Sequence, residues 1–389
     1  MNRRNFLRTG GLSALPVLAP AIPALAGSHS PKPVAGKTVN FFQDGFFLTP
    51  EEYITTLSEI VAAKKIDRDF YGEGGVVQEL EKKFIKITGK EKAIYMPSGT
   101  MANELSLHVL SGDNTKVFVQ ELSHIYRDEA DAAQSVFNKR LIPLAKGEYS
   151  FTLEELQSAI DYHNTGEVFK SGIGAISIEV PVRRADNCTI SIEEIRRISR
   201  YCREHKYKLH LDGARIYMAS AFTGVSIKEY SSYFDTVYIS LYKYLGAAGG
   251  AILCGDAAII DKMRHLVKVH GGAVFGSWPN AAMANHFLEG FEKRLRDAKE
   301  QSGELFAMLQ QVGIKVSSLP GGTNLFTVQL PAGVSDEKMS TVLSKEHAIG
   351  IGRKSKDGLV RIKINETLLY RDNNSLLKSF QDAVKFASA

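Results

Sequence analysis

Lys208-Leu209-His210-Leu211-Asp212-Gly213-Ala214-Arg215 is the stretch that decides the fold. It reads as a short strand over Lys208–Asp212, closed by a carboxylate and a turn of small residues. Working outward, further short strands are predicted over Lys92–Met96, Lys116–Gln120, 173–180, 236–241 and 251–254. Apolar residues at helical spacing fall between them: Val76, Val77, Leu80, Phe84 and Ile87, then residues 101–110 and 192–205. Gly89 stands where the first of these helices should stop. Strands alternating with helices require right-handed crossovers and a largely parallel sheet covered on both faces, an α/β fold. After Pro279 the rhythm changes to a long helical segment over 280–311, followed by short strands over 325–330 and 359–364. This predicts a large domain over 39–278 and a smaller C-terminal α+β domain over 279–389.

The ends and the composition narrow the class. Asn2-Arg3-Arg4-Asn5-Phe6-Leu7-Arg8, an apolar stretch broken by Pro16, Pro20 and Pro23, and Ala24-Leu25-Ala26 give residues 1–26 the pattern of a twin-arginine export signal. The expected location is periplasmic, or secreted. Residues 27–38 read as a linker. The 389 residues are 44% hydrophobic and 23% charged, a packed globular composition rather than a disordered one. Arg3, Arg4 and Arg8 supply three of the formal charges in a net of +5. The remainder supports neither a nucleic-acid surface nor a polybasic membrane anchor. Three scattered cysteines (Cys188, Cys202, Cys254) without CxxC argue against a disulfide scaffold and a zinc site, and no metal is expected.

In open α/β sheets ligands bind beyond the carboxyl ends of the strands, and two strands deliver reactive groups there. One ends on Asp212. The other runs into Ser240-Leu241-Tyr242-Lys243-Tyr244-Leu245-Gly246, where a lysine among apolar and aromatic neighbours loses solvation and shifts toward its free amine. An amine of this kind facing a carboxylate is what a Schiff-base cofactor requires, the acid keeping a pyridine nitrogen protonated. Met96-Pro97-Ser98-Gly99-Thr100-Met101-Ala102-Asn103 adds a strand, a turn and a helix start, whose unpaired amides suit a phosphate. Taken singly, Lys243 reads as a solvated strand-end lysine, Asp212 as a turn residue and Ser98 as a helix cap. Together they favour the cofactor site.

With these blocks in order, the sequence resembles the threonine aldolase and β-eliminating lyase family of pyridoxal phosphate (PLP) enzymes, which have the aspartate aminotransferase fold (fold type I). The matching blocks are Asp69-Phe70-Tyr71-Gly72, Gly89 to Ile94 running into 97–103, Leu209 to Arg215, and Lys243 with Leu245-Gly246. The resemblance implies that Lys243 holds PLP, that Asp212 pairs with the ring nitrogen, that His124 stacks on the ring, and that Ser98, Gly99 and Thr100 hold the phosphate. It implies that Arg215, also near the cofactor, and Arg361 grip the carboxylate of an amino-acid substrate. Tyr71 and Gly271-Gly272 would line the site at a subunit boundary, so a homodimer or homotetramer is expected.

Five positions depart from the family's pattern. Glu179-Val180-Pro181-Val182 has Val182 where the aldolases usually carry a histidine near the substrate's β-hydroxyl. Gln43 precedes Asp44 in place of a serine, Phe275 replaces an arginine, and Tyr242 and Tyr244 flank the lysine. The expected reaction is retro-aldol cleavage of a β-hydroxy-α-amino acid to glycine and an aldehyde, with His124, or a water near it or Glu129, as base. β-Elimination or racemisation through Lys243, and a non-catalytic exported PLP binder, are the alternatives.

Overall fold

The computed structural model describes residues 37–388. The export signal expected over 1–26 and most of the linker expected over 27–38 lie outside the described residues. The first strand, β1 (Val39–Asn40), is short. The central sheet then uses β2 (Lys92–Met96), β3 (Lys116–Gln120), β4 (Arg140–Leu144), β5 (Ile173–Glu179), β6 (Lys208–Asp212), β7 (Thr236–Ser240) and β8 (Ala251–Gly255). Their order is β2-β8-β7-β6-β5-β3-β4, and only β8 runs against its neighbours. Six carboxyl ends and the amino end of β8 therefore meet along one edge.

β3, β5, β7 and β8 are buried at every position, as strands covered on both faces must be, and this explains their largely apolar interiors. The helix Gly75–Thr88 turns Val76, Val77, Leu80 and Phe84 into the main core. Each such side chain contributes about 1.5–3 kcal/mol on burial. Among the described residues no helix is long and apolar enough to cross a membrane, and the three cysteines are free and buried.

The C-terminal part adds β9 (Lys315–Ser318), β10 (Leu325–Gln329), β11 (Ile349–Gly350) and β12 (Val360–Lys363). β10 lies between β12 and β9, antiparallel to both, and β11 pairs in parallel with β1. Val39 and Phe41 accordingly pack with Leu305, Ile362 and Phe380 in a second core. The helical segment expected over 280–311 is two helices, Trp278–Leu288 and Phe291–Gln310. Glu289 is extended and Gly290 has φ +68°, a left-handed conformation that glycine adopts without steric cost and that ends the first helix. Ala281, Ala282, Met283 and Ala284 of the first helix belong to the main core, and Leu305 and Leu309 of the second to the C-terminal one. The division in packing thus falls within the second helix.

Candidate active site

The shared edge of the sheet holds a cavity of about 250 Å³ lined by Ser98, Gly99, Thr100, His124, Glu129, Tyr238, Tyr242 and Lys243. Each group arrives at the end of a strand or the start of a helix. Ser98 follows β2 and caps the helix Gly99–Ser111, its Oγ accepting from the Met101 amide at 3.2 Å. The cap uses an oxygen lone pair and leaves the hydroxyl hydrogen to donate elsewhere. The amides of Gly99 and Thr100 have no acceptor among the described residues. A Cβ on Gly99 would lie 2.0 Å from the Tyr238 hydroxyl oxygen, so only glycine allows this ring to pack under the helix start.

Lys243 stands in the loop after β7 with no ion-pair partner among the described residues. Desolvation, with the nearby Arg215, lowers its ammonium pKa, and Asp212 and Glu179 offset part of that shift. Asp212, at the end of β6, is buried and accepts from the Ala214 amide at 3.1 Å through Oδ1. Its other oxygen takes a hydrogen from Asn103 Nδ2 at 3.1 Å, and the same nitrogen donates to Glu129 Oε1 at 2.7 Å. Asn103 Oδ1 lies 2.9 Å from His210 Nε2, and His210 Nδ1 lies 2.8 Å from the Thr236 hydroxyl. His124 opens a short helix after β3, its Nδ1 2.9 Å from Glu129 Oε1. Burial alone would lower the His124 pKa, but the hydrogen bond to Glu129 and the charge of Asp212 leave it raised. The backbone amides of His124 and Arg183 donate to Glu179 at 2.6 and 3.0 Å, and burial, with Asp212 nearby, drives the Glu179 pKa upward.

The remaining expected residues are placed differently. Arg215 is buried and donates through Nε to Asp44 at 2.8 Å, while Lys363 donates to the other Asp44 oxygen at 2.9 Å. Both Nη groups of Arg215 have no acceptor among the described residues. Arg361 has no such freedom. Asp186 and Asp357 engage Nε, Nη1 and Nη2 at 2.7–3.2 Å, and the guanidinium lies outside the cavity lining. Tyr71 lines a separate cavity of about 220 Å³ with Arg264, Lys268 and Gly272. Its ring lies beneath Lys268 Nζ at 4.5 Å and edge-on to Phe275. Val182 is fully buried.

Sequence reasoning missed Asn103, Tyr238, Glu179 and Lys363 as members of this region. A signal existed for Asn103 alone, because its place one turn into the helix after the Ser98 cap puts it over the sheet edge.

The sequence profile of the family described as Beta-eliminating lyase matches residues 54–330. A low-specificity L-threonine aldolase of Candida albicans is 35% identical over 269 residues, 68% of this chain and 71% of that protein. A solved Exiguobacterium protein, titled as an aromatic amino acid beta-eliminating lyase/threonine aldolase, is 25% identical with a TM-score of 0.72, covering 88% of this chain and 96% of that one. A serine palmitoyltransferase variant of S. paucimobilis with a bound PLP–myriocin aldimine, 15% identical, shares the fold with a TM-score of 0.62 over 90% of this chain and 89% of its own. The sheet is that of the fold type I enzymes, and the chain belongs to the β-eliminating lyase family.

Proposed function

We propose that this chain is a PLP-dependent lyase that cleaves the Cα–Cβ bond of a β-hydroxy-α-amino acid, giving glycine and an aldehyde as threonine aldolases do. The observation that carries this reading is one desolvated, unpaired amine, Lys243, in the same cavity as an amide-lined helix start and an imidazole, with Asp212 next to them. The residues fit the cofactor on three counts. The Gly99 and Thr100 amides lack acceptors and suit a phosphate; Lys243 is free to meet an aldehyde; and Asp212 is held beside the site by Ala214 and Asn103.

PLP bound there supplies an aldehyde for the amine and a protonated ring that accepts the electron pair released when a bond to Cα breaks. The protein's own groups do the rest. Ser98, Gly99 and Thr100 would hold the phosphate oxygens. Asp212 would keep a proton on the ring nitrogen. Arg215, its Nη groups without an acceptor among the described residues, would receive the substrate carboxylate in a bidentate grip and so orient the bonds at Cα. Arg361 joins that grip only when Asp186 or Asp357 yields. His124, supported by Glu129, takes the proton of the β-hydroxyl, help worth about 10²–10⁴-fold.

Val182 favours a second reading. Buried and unable to accept a proton, it removes one base from the substrate's β side, and Lys243 as a free amine is suited to take the Cα proton instead, leading to β-elimination or racemisation. Exposed Phe70, Tyr71, Val274 and Phe275 form an apolar patch that supports a homodimer or homotetramer, with Tyr71 at the boundary. The pattern of residues 1–26 supports a periplasmic site of action.

Incubating PLP-loaded protein with threonine and with phenylserine tests the reading. Glycine with an equimolar aldehyde is expected. Ammonia and a keto acid, or inversion at Cα alone, would move the assignment to the second reading. Lys243→Ala should lose both turnover and the near-visible absorbance.

A further inference from the structure

Asn103 is buried completely and does not line the cavity, yet its three hydrogen bonds join Asp212, Glu129 and His210 beside the site. Its nitrogen faces two carboxylate oxygens, so that atom is the donor and the amide orientation is fixed. Its oxygen can then only accept, which places the hydrogen of His210 on Nε2 and leaves Nδ1 to accept from the Thr236 hydroxyl. Burial lowers His210 to about 4, so this ring is neutral and its tautomer is unique.

The same logic runs outward on the other side. Glu129 Oε1 accepts an Asn103 hydrogen and faces His124 Nδ1 at 2.9 Å. With Glu129 ionised, Oε1 accepts from Asn103 on one side and from the ring on the other, so neutral His124 holds its hydrogen on Nδ1 and its lone pair on Nε2. The reactive atoms of His124, Glu129 and Asp212 all lie within 4.8 Å of one another. Asn103 supplies one hydrogen to each of these two acids, and without it the carboxylates would lie close together with no donor between them. A proton on Glu129 Oε1 would donate to His124 Nδ1 and transfer the ring's hydrogen to Nε2.

We propose that Asn103 is a positioning residue: by donating to Asp212 and Glu129 together, it keeps both as acceptors and locks His124 as a base at Nε2. Its bearing on catalysis rests on the PLP-lyase reading given above; the tautomer itself does not. Asn103 thus links the acid at the ring nitrogen to the base at the substrate's hydroxyl, and one substitution there changes both.

The experiment is nitrogen-15 NMR of histidine-labelled full chain at a pH where His124 is neutral, its signals assigned by their absence in His124→Gln. Wild type should show hydrogen on Nδ1, and Asn103→Leu should move it to Nε2 or to a mixture. In loaded enzyme the same variant should lower kcat about 10²-fold with KM little changed, and shift the pH at which the cofactor absorbance changes. If Asn103→Leu does not fold, Asn103→Asp reads the same point, since a third carboxyl in place of the amide also forces a proton into the group. A wild-type ring with its hydrogen on Nε2, or a folded variant that keeps it on Nδ1, overturns the proposal. If the tautomer shifts as expected but wild type makes no glycine, the lyase reading fails and this one stands.

Discussion

Replacing Gly99 by alanine puts a methyl group where the structure has no room for one. The new Cβ would lie 2.0 Å from Tyr238 Oη, 2.5 Å from Cζ and 3.1 Å from Cε1. Ordinary contact needs about 3.5 Å, so something must move by roughly 1–1.5 Å. Tyr238 sits on β7 with β6 and β8 on either side, and its ring is buried, so the start of the helix is the part that yields. Overpacking of this kind costs about 1–3 kcal/mol. The displacement would also carry the Gly99 and Thr100 amides away from where the proposed phosphate would bind. Losing one charge-assisted hydrogen bond there costs about 1.5–3 kcal/mol, a weakening of roughly 10–100-fold in cofactor affinity. Thermal unfolding of the unloaded protein reads the first effect, and titration with PLP followed by absorbance reads the second. Tyr238→Phe added to Gly99→Ala removes the closest contact and should return part of the stability. A Gly99→Ala protein that melts with wild type and binds PLP within twofold would refute the reasoning.

Two further predictions concern buried charge. Burial would raise Asp44, but Arg215 and Lys363 together outweigh it and leave its pKa below the ordinary 3.8. Asp44→Asn should therefore cost about 3–5 kcal/mol at neutral pH, by leaving two cations against a neutral amide. Because the folded pKa is depressed, the contribution is present above 3.8 and lost as pH falls through the folded value, so chemical denaturation should show the gap closing in acid. Glu81 has the opposite sign. Burial pushes it from 4.5 up to about 7, even though it accepts from the Tyr95 amide at 2.9 Å. The protonated form suits the fold, so wild-type stability falls as pH rises from about 4.5 to 7, by up to about 3 kcal/mol. Glu81→Gln keeps an acceptor for Tyr95 without the charge, and its stability curve should be flat over that window and above wild type at pH 8.

What could be read from the chain was whatever depends on neighbours in sequence. The strands buried on both faces announced themselves as apolar runs, and β2, β3 and β6 have the predicted bounds. β4, at the sheet edge, is buried at only Leu141 and Leu144 and carries exposed Arg140 and Pro143, while β9 is mostly exposed, so neither needs such a run and neither was expected. Asp212 and Lys243 were legible because a strand ending in a charged group before small residues marks the ligand edge of an α/β sheet, and the family resemblance gave the pair its chemistry.

Pairings across long stretches of chain belong to the tertiary structure alone. Asn103 reaches Glu129 and Asp212 across 26 and 109 positions, and no local pattern marks an asparagine that bridges two acids. Arg361, expected to grip a substrate carboxylate, is held by Asp186, 175 positions away, as well as by Asp357, whereas both Nη groups of Arg215 have no acceptor among the described residues. The sequence by itself determined the parallel α/β layering and the amine and acid at its edge, since periodicity and strand-end chemistry are local properties of a chain. Only the fold decided which charges are paired and which polar groups meet in the interior, because electrostatics and hydrogen bonding act through space and depend on burial that local sequence does not fix.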